Sequence, residues 1–414
     1  MPRPSSGATT AGAERPRYEV ADVVRAYGAE FLRTHPTSST QQRRVLRAMA
    51  RCRTAALGGH VERCDACGHK RIAYNSCRNR NCPKCQAAAR AKWMAAEQAM
   101  LLPVDYFHVV FTLPHTLNAL IRVNPRQLYA ILFRAAAATL LTFARDPKHL
   151  GAEPGITMVL HTWGQNLIEH IHVHCVVTGG GLSLDQSGWI SARHTRRRRP
   201  FLFPVKALSQ VFRGKYLAAL ARLRRRGQLR FTGQCADLAD PAPWDRLLST
   251  LQHTKWVVYA KPPFGGPERV LKYLSRYTHR VAISNHRLLF VGDGIVRFRW
   301  KDYADHHAHK EMMLPAVEFL RRFLLHVVPR GFMRIRHYGI LANRHREQKL
   351  RRCRELLAIT TCASAHEPME VRTPDTHRDK RDDTDSEPSR APCPICGAPM
   401  RITDIIAPHP HDTS

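Results

Sequence analysis

Acidic side chains are scarce in this chain of 414 residues, since 33 Asp and Glu face 65 Lys and Arg and leave a formal net charge of +32. The basic residues run along almost the whole length instead of forming one tail. This balance excludes a charge-neutral surface and predicts a polyanionic partner, either a nucleic acid or an anionic membrane.

Long apolar segments are missing as well. No uninterrupted apolar run approaches 18 residues, and the longest helical candidate, Ile131–Ala144, contains Arg134, so no membrane partner is expected. Met1–Tyr18 mixes Pro, Ser, Gly and Arg without an apolar centre, so no secretory signal is expected. Both absences predict a cytoplasmic protein, whose twelve cysteines stay reduced and serve metal sites more than disulfides.

The length excludes a peptide-sized or disulfide-stapled fold and predicts one large domain with small appendages. Hydrophobic periodicity and composition divide the chain further. We predict a flexible N-terminus over 1–19, a helical and zinc-binding DNA-binding domain over 20–102, a large domain over 103–350, a disordered linker over 364–391 and a CxxC tail over 392–414.

Strands and helices alternate irregularly in the predicted large domain. Runs of β-branched and aromatic residues indicate strands, and apolar spacings of three and four indicate helices. The predicted strands are Tyr106–Leu113, Ile156–Trp163, His170–Val177, Trp256–Ala260 and a hairpin over Leu288–Trp300; the predicted helices cover parts of 20–53, 86–102, 125–144, 267–280 and 315–325.

Two CxxC pairs stand close together near the N-terminus. Cys64 and Cys67 are followed by Cys82 and Cys85 after 14 intervening residues, a spacing typical of four thiolates around a tetrahedral zinc. Gly68 permits a tight turn after the first pair. The sequence therefore predicts one structural Zn²⁺ site formed by these four cysteines, with Cys52 and Cys77 as possible substitutes.

Other charged and thiol groups lie around this predicted site. Basic residues beside the second pair could meet DNA phosphates: Arg78, Arg80 and Lys84. Far along the chain, Cys393 and Cys396 precede His409 and His411, which leaves a second metal site open.

Histidines occupy alternate positions in the segment EHIHVHCVVTGGG, which begins at Glu169. On a strand, His170, His172 and His174 would share one face. Neighbours in this row lie about 6.6 Å apart at Cα, and the outer two about 13 Å apart. One metal can therefore take an adjacent pair, although a histidine-rich surface strand without a ligand is an alternative.

Two tyrosines, Tyr273 and Tyr277, lie four residues apart in a segment that opens with Gly and Pro. On a helix they would share one face, where core packing beside Val270 and Leu274 is an alternative to chemistry. A phenol with a pKa near 10 is a poor nucleophile at neutral pH, so it needs a cation to polarise the phosphate that it attacks. A metal held by two histidines could supply that cation.

Three separated motifs resemble the two-tyrosine HUH rolling-circle transposases of bacterial insertion sequences. These motifs are SCRNRNCPKCQ, similar to the transposase zinc-binding domain of that family, then HVHCVVTGGG and YLSRYTHRVAISN. The resemblance covers roughly residues 43–346 and also includes FHVVFTLPHTLN and GFMRIRHYGILANR. It implies an α+β fold in which a central antiparallel sheet with flanking helices carries the histidines and a neighbouring helix carries the tyrosines.

The same resemblance assigns the chemistry. His172 and His174 would hold Mg²⁺ or Mn²⁺, with Gln165, Glu169 and His170 as candidates for a third ligand. Tyr273 and Tyr277 would be the nucleophiles that form a 5′-phosphotyrosine with single-stranded DNA at element ends and target, without a nucleotide cofactor. Arg276 and Arg280 could neutralise phosphate charge. The place of action would be the bacterial cytoplasm, at the nucleoid.

Two other functions fit parts of the pattern. A non-catalytic zinc-dependent DNA-binding protein, such as a repressor, needs no tyrosine pair, and a zinc hydrolase could use His170, His172 and His174. Further basic groups could add affinity for DNA under any of these functional hypotheses. They are Arg196–Arg199, Arg222–Arg226, and the cluster of Arg334, Arg336, His337, Tyr338 and Arg344.

Overall fold

The computed structural model describes residues 16–192, 202–264, 269–270, 281–303, 305–364 and 392–409. Helices and antiparallel strands alternate irregularly along them, which confirms the predicted α+β class. The helices are α1 (Val20–Thr34), α2 (Thr40–Ala50), α3 (Gln86–Gln98), α4 (Asn118–Val123), α5 (Pro125–Arg145), α6 (Val205–Arg225), α7 (Pro241–His253), α8 (Ala316–Leu325) and α9 (Arg346–Ser364). The strands are β1 (Gly59–Cys64), β2 (Lys70–Tyr74), β3 (Tyr106–Thr112), β4 (Ala152–Trp163), β5 (Glu169–Ser183), β6 (Trp189–Ser191), β7 (Val258–Phe264), β8 (Leu288–Gly292), β9 (Ile295–Asp302), β10 (Ala308–Pro315), β11 (Ile335–Gly339) and β12 (Met400–Ile406).

The largest sheet has six antiparallel strands in the order β11–β4–β5–β3–β7, with β6 beside β5. β5 lies in the middle and pairs with β4 on one side and β3 on the other. The predicted strands over 106–113, 156–163 and 170–177 are therefore the three adjacent strands at its centre. Two smaller sheets have the orders β12–β1–β2 and β10–β9–β8.

One face of the six-stranded sheet packs against α5 and α6. Ile171, Val173 and Cys175 of β5 point into this core, where they meet Phe133 and Phe212. Full burial of each large apolar side chain contributes about 1.5–3 kcal/mol. Among the described helices, α5 is long and apolar enough to cross a membrane by length and composition, and 67% of its apolar window is buried inside the protein. Its apolar face thus has a partner in the sheet.

A second core joins the N-terminal helices to the later part of the chain. Apolar residues of α1 and α2 pack with α8 and with the sheet β10–β9–β8, as Phe31, Leu46 and Phe319 illustrate. Ser39 begins α2 with a capping box in which it accepts from the Gln42 backbone and Gln42 accepts from Ser39. The helices predicted within 20–53 are therefore present as α1 and α2, and they pack against residues far away in sequence.

The opposite face of the six-stranded sheet is covered at one end by α3. Glu97 of α3 is 2% exposed and lies 3.4 Å from His337 of β11, whose other ring nitrogen is 3.1 Å from the Thr157 hydroxyl. Burial raises the pKa of Glu97 to about 7 and, with help from Arg346, lowers the pKa of His337 to about 4. Between these values both groups are neutral.

Replacement Glu97→Gln tests this buried carboxyl. Because the folded pKa lies above the ordinary value of 4.5, the unfolded chain loses this proton first as pH rises. Stability is therefore lost progressively between about pH 4.5 and pH 7, by up to about 3 kcal/mol. We expect the variant to match the native protein near pH 5 and to exceed its free energy of unfolding near pH 8. Urea unfolding at both pH values measures this; an equal difference at the two would contradict it.

Candidate active site and metal centres

The histidine row of β5 lies on the face opposite the α5–α6 core. Alternation along the strand sends Ile171 and Val173 inward and leaves His172 and His174 on the other face. The turn between β4 and β5 is short, with the Gly164 amide donating to the Ile168 carbonyl at 2.8 Å. It sets a register in which His161 of β4 lies directly opposite His172.

Three imidazoles converge on this face. The ligand nitrogens of His161, His172 and His174 all lie within 4.8 Å of one another, and the Nε2 atoms of His172 and His174 are 3.0 Å apart. Two ligands at right angles on an octahedral metal, with bonds of about 2.1 Å, lie about 3.0 Å apart. The donor set therefore suits a divalent cation.

Hydrogen bonds on the far side of the His172 and His174 rings fix their orientation. His172 Nδ1 donates to the carbonyl oxygen of His170 at 2.7 Å, which leaves Nε2 with a lone pair. His174 Nδ1 lies 2.9 Å from Nε2 of His108, a residue of β3. Burial lowers the pKa of His172 to about 3, helped by His170, and burial with Lys261 does the same to His108. His172 is thus neutral at physiological pH, the form that binds metals, and His108 is a neutral partner of the His174 ring.

The third member of the cluster, His161, was not among the residues predicted as a third ligand. Of those three, Gln165 donates to the Tyr303 hydroxyl at 3.3 Å, and Glu169 accepts from Arg122 at 2.7 Å. His170 lies 3.3 Å from His115. The sequence feature that could have identified His161 is the pair of strands joined by a short turn, because this hairpin places His161 across from His172.

The predicted nucleophiles and their arginines lie outside the described residues: Tyr273, Tyr277, Arg276 and Arg280. The two described residues just before them, Arg269 and Val270, are helical. Val270 is fully buried and packs against Tyr106 and Val176, which share the sheet face of the histidines.

A first cysteine cluster lies between α2 and α3 and contains Cys52, Cys77, Cys82 and Cys85. Three of its Sγ–Sγ distances are 3.6, 3.6 and 3.7 Å. Zn–S bonds of about 2.3 Å give a tetrahedron with edges of about 3.8 Å. Hydrogen bonds from the Cys77 and Cys82 thiols lower the pKa of Cys52 to about 2, and the same contacts with Cys52 raise the pKa of Cys77 and of Cys82. Zinc requires thiolates, so its binding would release the protons that remain on the cluster.

A second cysteine cluster contains Cys64, Cys67, Cys393 and Cys396. The structure therefore does not bring the four predicted zinc ligands together, and the single predicted set of four cysteines is corrected to two separate clusters. Cys82 and Cys85 join Cys52 and Cys77, the residues considered as substitutes, while Cys64 and Cys67 meet the C-terminal pair. The reason is that β12 pairs with β1, which carries Cys393 and Cys396 to the end of β1. His409 is described but does not belong to this cluster. His411 lies outside the described residues.

The local sequence indicates which CxxC pairs belong to the same cluster. Cys64–Cys67 and Cys393–Cys396 are each followed by glycine, whereas Cys82–Cys85 contains a short 3₁₀ turn, Pro83–Cys85, and is followed directly by α3. Gly68 and Gly397 adopt left-handed φ angles of 73° and 75°, which favour glycine. The two pairs of one cluster thus share a turn type that the other pair lacks.

The predicted DNA-contacting residues near the cysteines differ in their surroundings. The Arg80 guanidinium donates to the carbonyls of Phe332 and Pro329, both at 2.6 Å, so it holds a loop of the protein. Lys84 is paired with Glu19. Arg78 is exposed and is the one of the three that the described structure leaves facing solvent.

Several other basic groups also have partners inside the protein. Arg224 donates to two carbonyls and stacks 4.5 Å from the Trp244 ring. Arg336 lies 4.6 Å from the Phe133 ring, and His337 contacts Glu97 and Thr157. The cluster around Arg336 is therefore an internal packing site more than a platform for bases. Arg196–Arg199 lie outside the described residues.

Comparison with known proteins gives this arrangement its context. A family model described as “Transposase zinc-binding domain” matches residues 23–113, and one described as “Putative transposase” matches residues 155–349. The “Putative transposase y4qJ” of Sinorhizobium fredii is 51% identical over 385 residues, which cover 93% of this chain and 94% of that protein. The “Transposase for insertion sequence element IS801” of Pseudomonas savastanoi pv. phaseolicola is 31% identical over 318 residues, 76% of this chain and 73% of that protein. No solved structure matches.

Together, the cysteine-rich N-terminal module and the histidine-bearing sheet are those of a transposase, a protein that acts on DNA. Its first cysteine cluster falls inside the matched zinc-binding domain, and it provides four thiolates for structural zinc. The chain belongs to the family of insertion-sequence transposases that includes the IS801 transposase. This confirms the family resemblance of the three motifs.

Replacement Arg80→Ala should lower stability because it leaves three partly buried carbonyls of the 328–332 loop without this donor. We expect a loss of about 3 kcal/mol in the free energy of unfolding. The matched variant Arg78→Ala changes an exposed residue and should stay within about 0.5 kcal/mol of the native protein while weakening DNA binding. Urea unfolding and fluorescence anisotropy with a labelled oligonucleotide measure the two effects. Equal losses of stability in both variants would contradict these assignments.

Proposed function

We propose that this transposase cleaves and rejoins single-stranded DNA through a 5′-phosphotyrosine, in rolling-circle transposition of an insertion sequence. The observation that carries the proposal is the convergence of His161, His172 and His174 on one buried sheet face. A bound Mg²⁺ or Mn²⁺ would polarise the scissile phosphate there.

The orientation of His172 and His174 is set before metal or DNA arrives, and His172 would act as a neutral ligand. Nε2 of His172 is presented because Nδ1 donates to a backbone carbonyl, and His108 holds the ring of His174 from behind. Such outer contacts raise metal affinity because the ligand does not have to reorganise. Lys261 of β7 is exposed and lies opposite His108 in the sheet, where its positive charge could meet a DNA phosphate.

The nucleophiles in this proposal are Tyr273 and Tyr277. The support is that Val270, three and seven residues earlier, packs on the histidine face, and residues at these spacings share one side of a helix. The tyrosine oxygen attacks phosphorus and loses its proton; the bond from phosphorus to the 3′ oxygen breaks, and that oxygen leaves as a hydroxyl. The phosphodiester energy is kept in the new bond, so rejoining needs no nucleotide cofactor.

Two tyrosines suit strand transfer because one can hold the first cleaved end while the other cuts the second junction. A zinc hydrolase that uses His170, His172 and His174 has less support, since His170 contacts His115 and His161 takes its place in the cluster. A repressor would need the zinc module and the charge but no converging histidines. We place the activity in the bacterial cytoplasm, at the nucleoid.

The double replacement Tyr273→Phe and Tyr277→Phe should abolish the covalent adduct with single-stranded DNA. The assay incubates the protein with Mn²⁺ and end-labelled oligonucleotides that tile the DNA flanking the gene, and detects adducts that survive a denaturing gel. Tyr303→Phe, at an exposed tyrosine of the β9–β10 connection, is the matched control and should keep the adduct. An adduct of normal yield in the double variant would exclude these nucleophiles, and hydrolysis without any adduct would favour the hydrolase.

The cluster also predicts how single histidine variants bind metal. His161→Ala removes one ligand and should weaken Mn²⁺ binding at least about ten-fold. His170→Ala is the matched control on the same strand face; it keeps the backbone carbonyl that orients His172, so its affinity should stay close to native. Electron paramagnetic resonance of free Mn²⁺ measures both. Equal affinities for the two variants would remove His161 from the ligand set.

A further inference from the structure

The second cysteine cluster joins parts of the chain that are far apart in sequence. Cys64 Sγ lies 3.5 Å from Cys396 Sγ, and Cys67 Sγ lies 3.6 Å from Cys393 Sγ. Two of these thiols lie beyond residue 349, where the family match ends, and beyond residue 113, where the zinc-binding domain match ends. The matched zinc-binding domain therefore contains Cys64 and Cys67 but not the other two thiols of this cluster.

The two halves of this cluster have the same backbone geometry. Gly68 donates to the Cys64 carbonyl and Gly397 donates to the Cys393 carbonyl, each at 2.9 Å. Cys64 in turn donates to the carbonyl of residue 69 at 2.9 Å, and Cys393 to that of residue 398 at 2.8 Å. Two such matched CxxCG turns that face each other are the arrangement by which paired loops surround one tetrahedral Zn²⁺.

The sulfur distances distinguish between the chemical possibilities. Separations of 3.5 and 3.6 Å are too long for disulfide bonds of about 2.05 Å. They are close to the edge of about 3.8 Å expected for four sulfurs around zinc. Four sulfur ligands also exclude Mg²⁺ and Mn²⁺, which prefer oxygen.

The C-terminal segment 392–409 has few other contacts to hold it. Its buried residues, Cys393 and Met400, form a small cluster with Cys64, whereas Ile395 and Ile405 are 71% and 87% exposed. The ion pair between Arg401 and Asp65 is exposed on both sides and stabilises little. The pairing of β12 with β1 therefore needs a further source of stability, and a metal that binds only the assembled ribbon supplies it.

We propose that the second cysteine cluster is a structural Zn²⁺ site that clasps the C-terminal segment to the N-terminal zinc-binding domain. Binding forms four Zn–S bonds and releases the thiol protons. Residues 365–391 connect α9 to this segment. The metal therefore joins a C-terminal CxxC pair to one near the N-terminus. The clasp is independent of the DNA chemistry proposed above.

Zinc content tests the site directly. The full chain purified with zinc should contain one Zn²⁺ ion for each cluster of four cysteines, besides any ion bound at the histidine site. The double variant Cys393→Ser and Cys396→Ser should contain about one ion fewer per chain. Cys353→Ser, at a buried thiol of α9 that belongs to neither cluster, is the control and should keep the native content. Atomic emission measures the content; equal contents in the native chain and the double variant would overturn the proposal.

A cleavage experiment tests the clasp without relying on the cysteine variants. A specific protease site placed within residues 365–391 lets the linker be cut in the otherwise native chain. The released C-terminal fragment should remain with the rest of the protein on size exclusion, and a chelator should separate the two. Separation without a chelator, or co-elution that persists after complete removal of zinc, would overturn the proposal. Circular dichroism before and after cutting verifies that the remainder stays folded.

Discussion

The pairing of β4 with β5 is the constraint on which the histidine site depends. Side chains alternate between the faces of a strand, so a slip of one residue would move every imidazole to the other face. Ile171, Val173 and Cys175 prevent the slip because they fill the core against α5 and α6. The apolar half of β5 therefore fixes where its histidines stand, and β4 then brings His161 opposite His172.

Burying several imidazoles together is unfavourable unless each is neutral and has a partner. Burial lowers the pKa of His172 and of His108 to about 3, so neither carries a charge that would repel a cation. The partners are other rings or backbone carbonyls, and His161 also stacks on Trp163 with centroids 4.6 Å apart. The result is a rigid set of nitrogen donors, and this rigidity is what a metal site of high affinity needs.

Sequence revealed those features that are encoded locally. Alternation around His172 identified the strand and the face, because period two is a property of the strand alone. It could not identify His161, since that residue joins the cluster only through the register of the next strand. The cysteines show the same limit: each CxxC turn is local, but its partner depends on whether β12 pairs with β1. Arg80 was assigned to DNA on charge alone, and only the tertiary fold shows the carbonyls that it binds.

Helix α3 connects the zinc-binding module to the histidine face of the sheet. Cys85 of the first cysteine cluster directly precedes the helix, and Glu97 near its other end contacts His337 on the sheet. Arg80, between the cysteines, anchors the module to the loop that leads into β11. A metal that orders the first cluster thus also fixes the start of the helix that covers the histidine face. The module thus orders part of the surroundings of the histidine-bearing sheet, in addition to any contact that it makes with DNA.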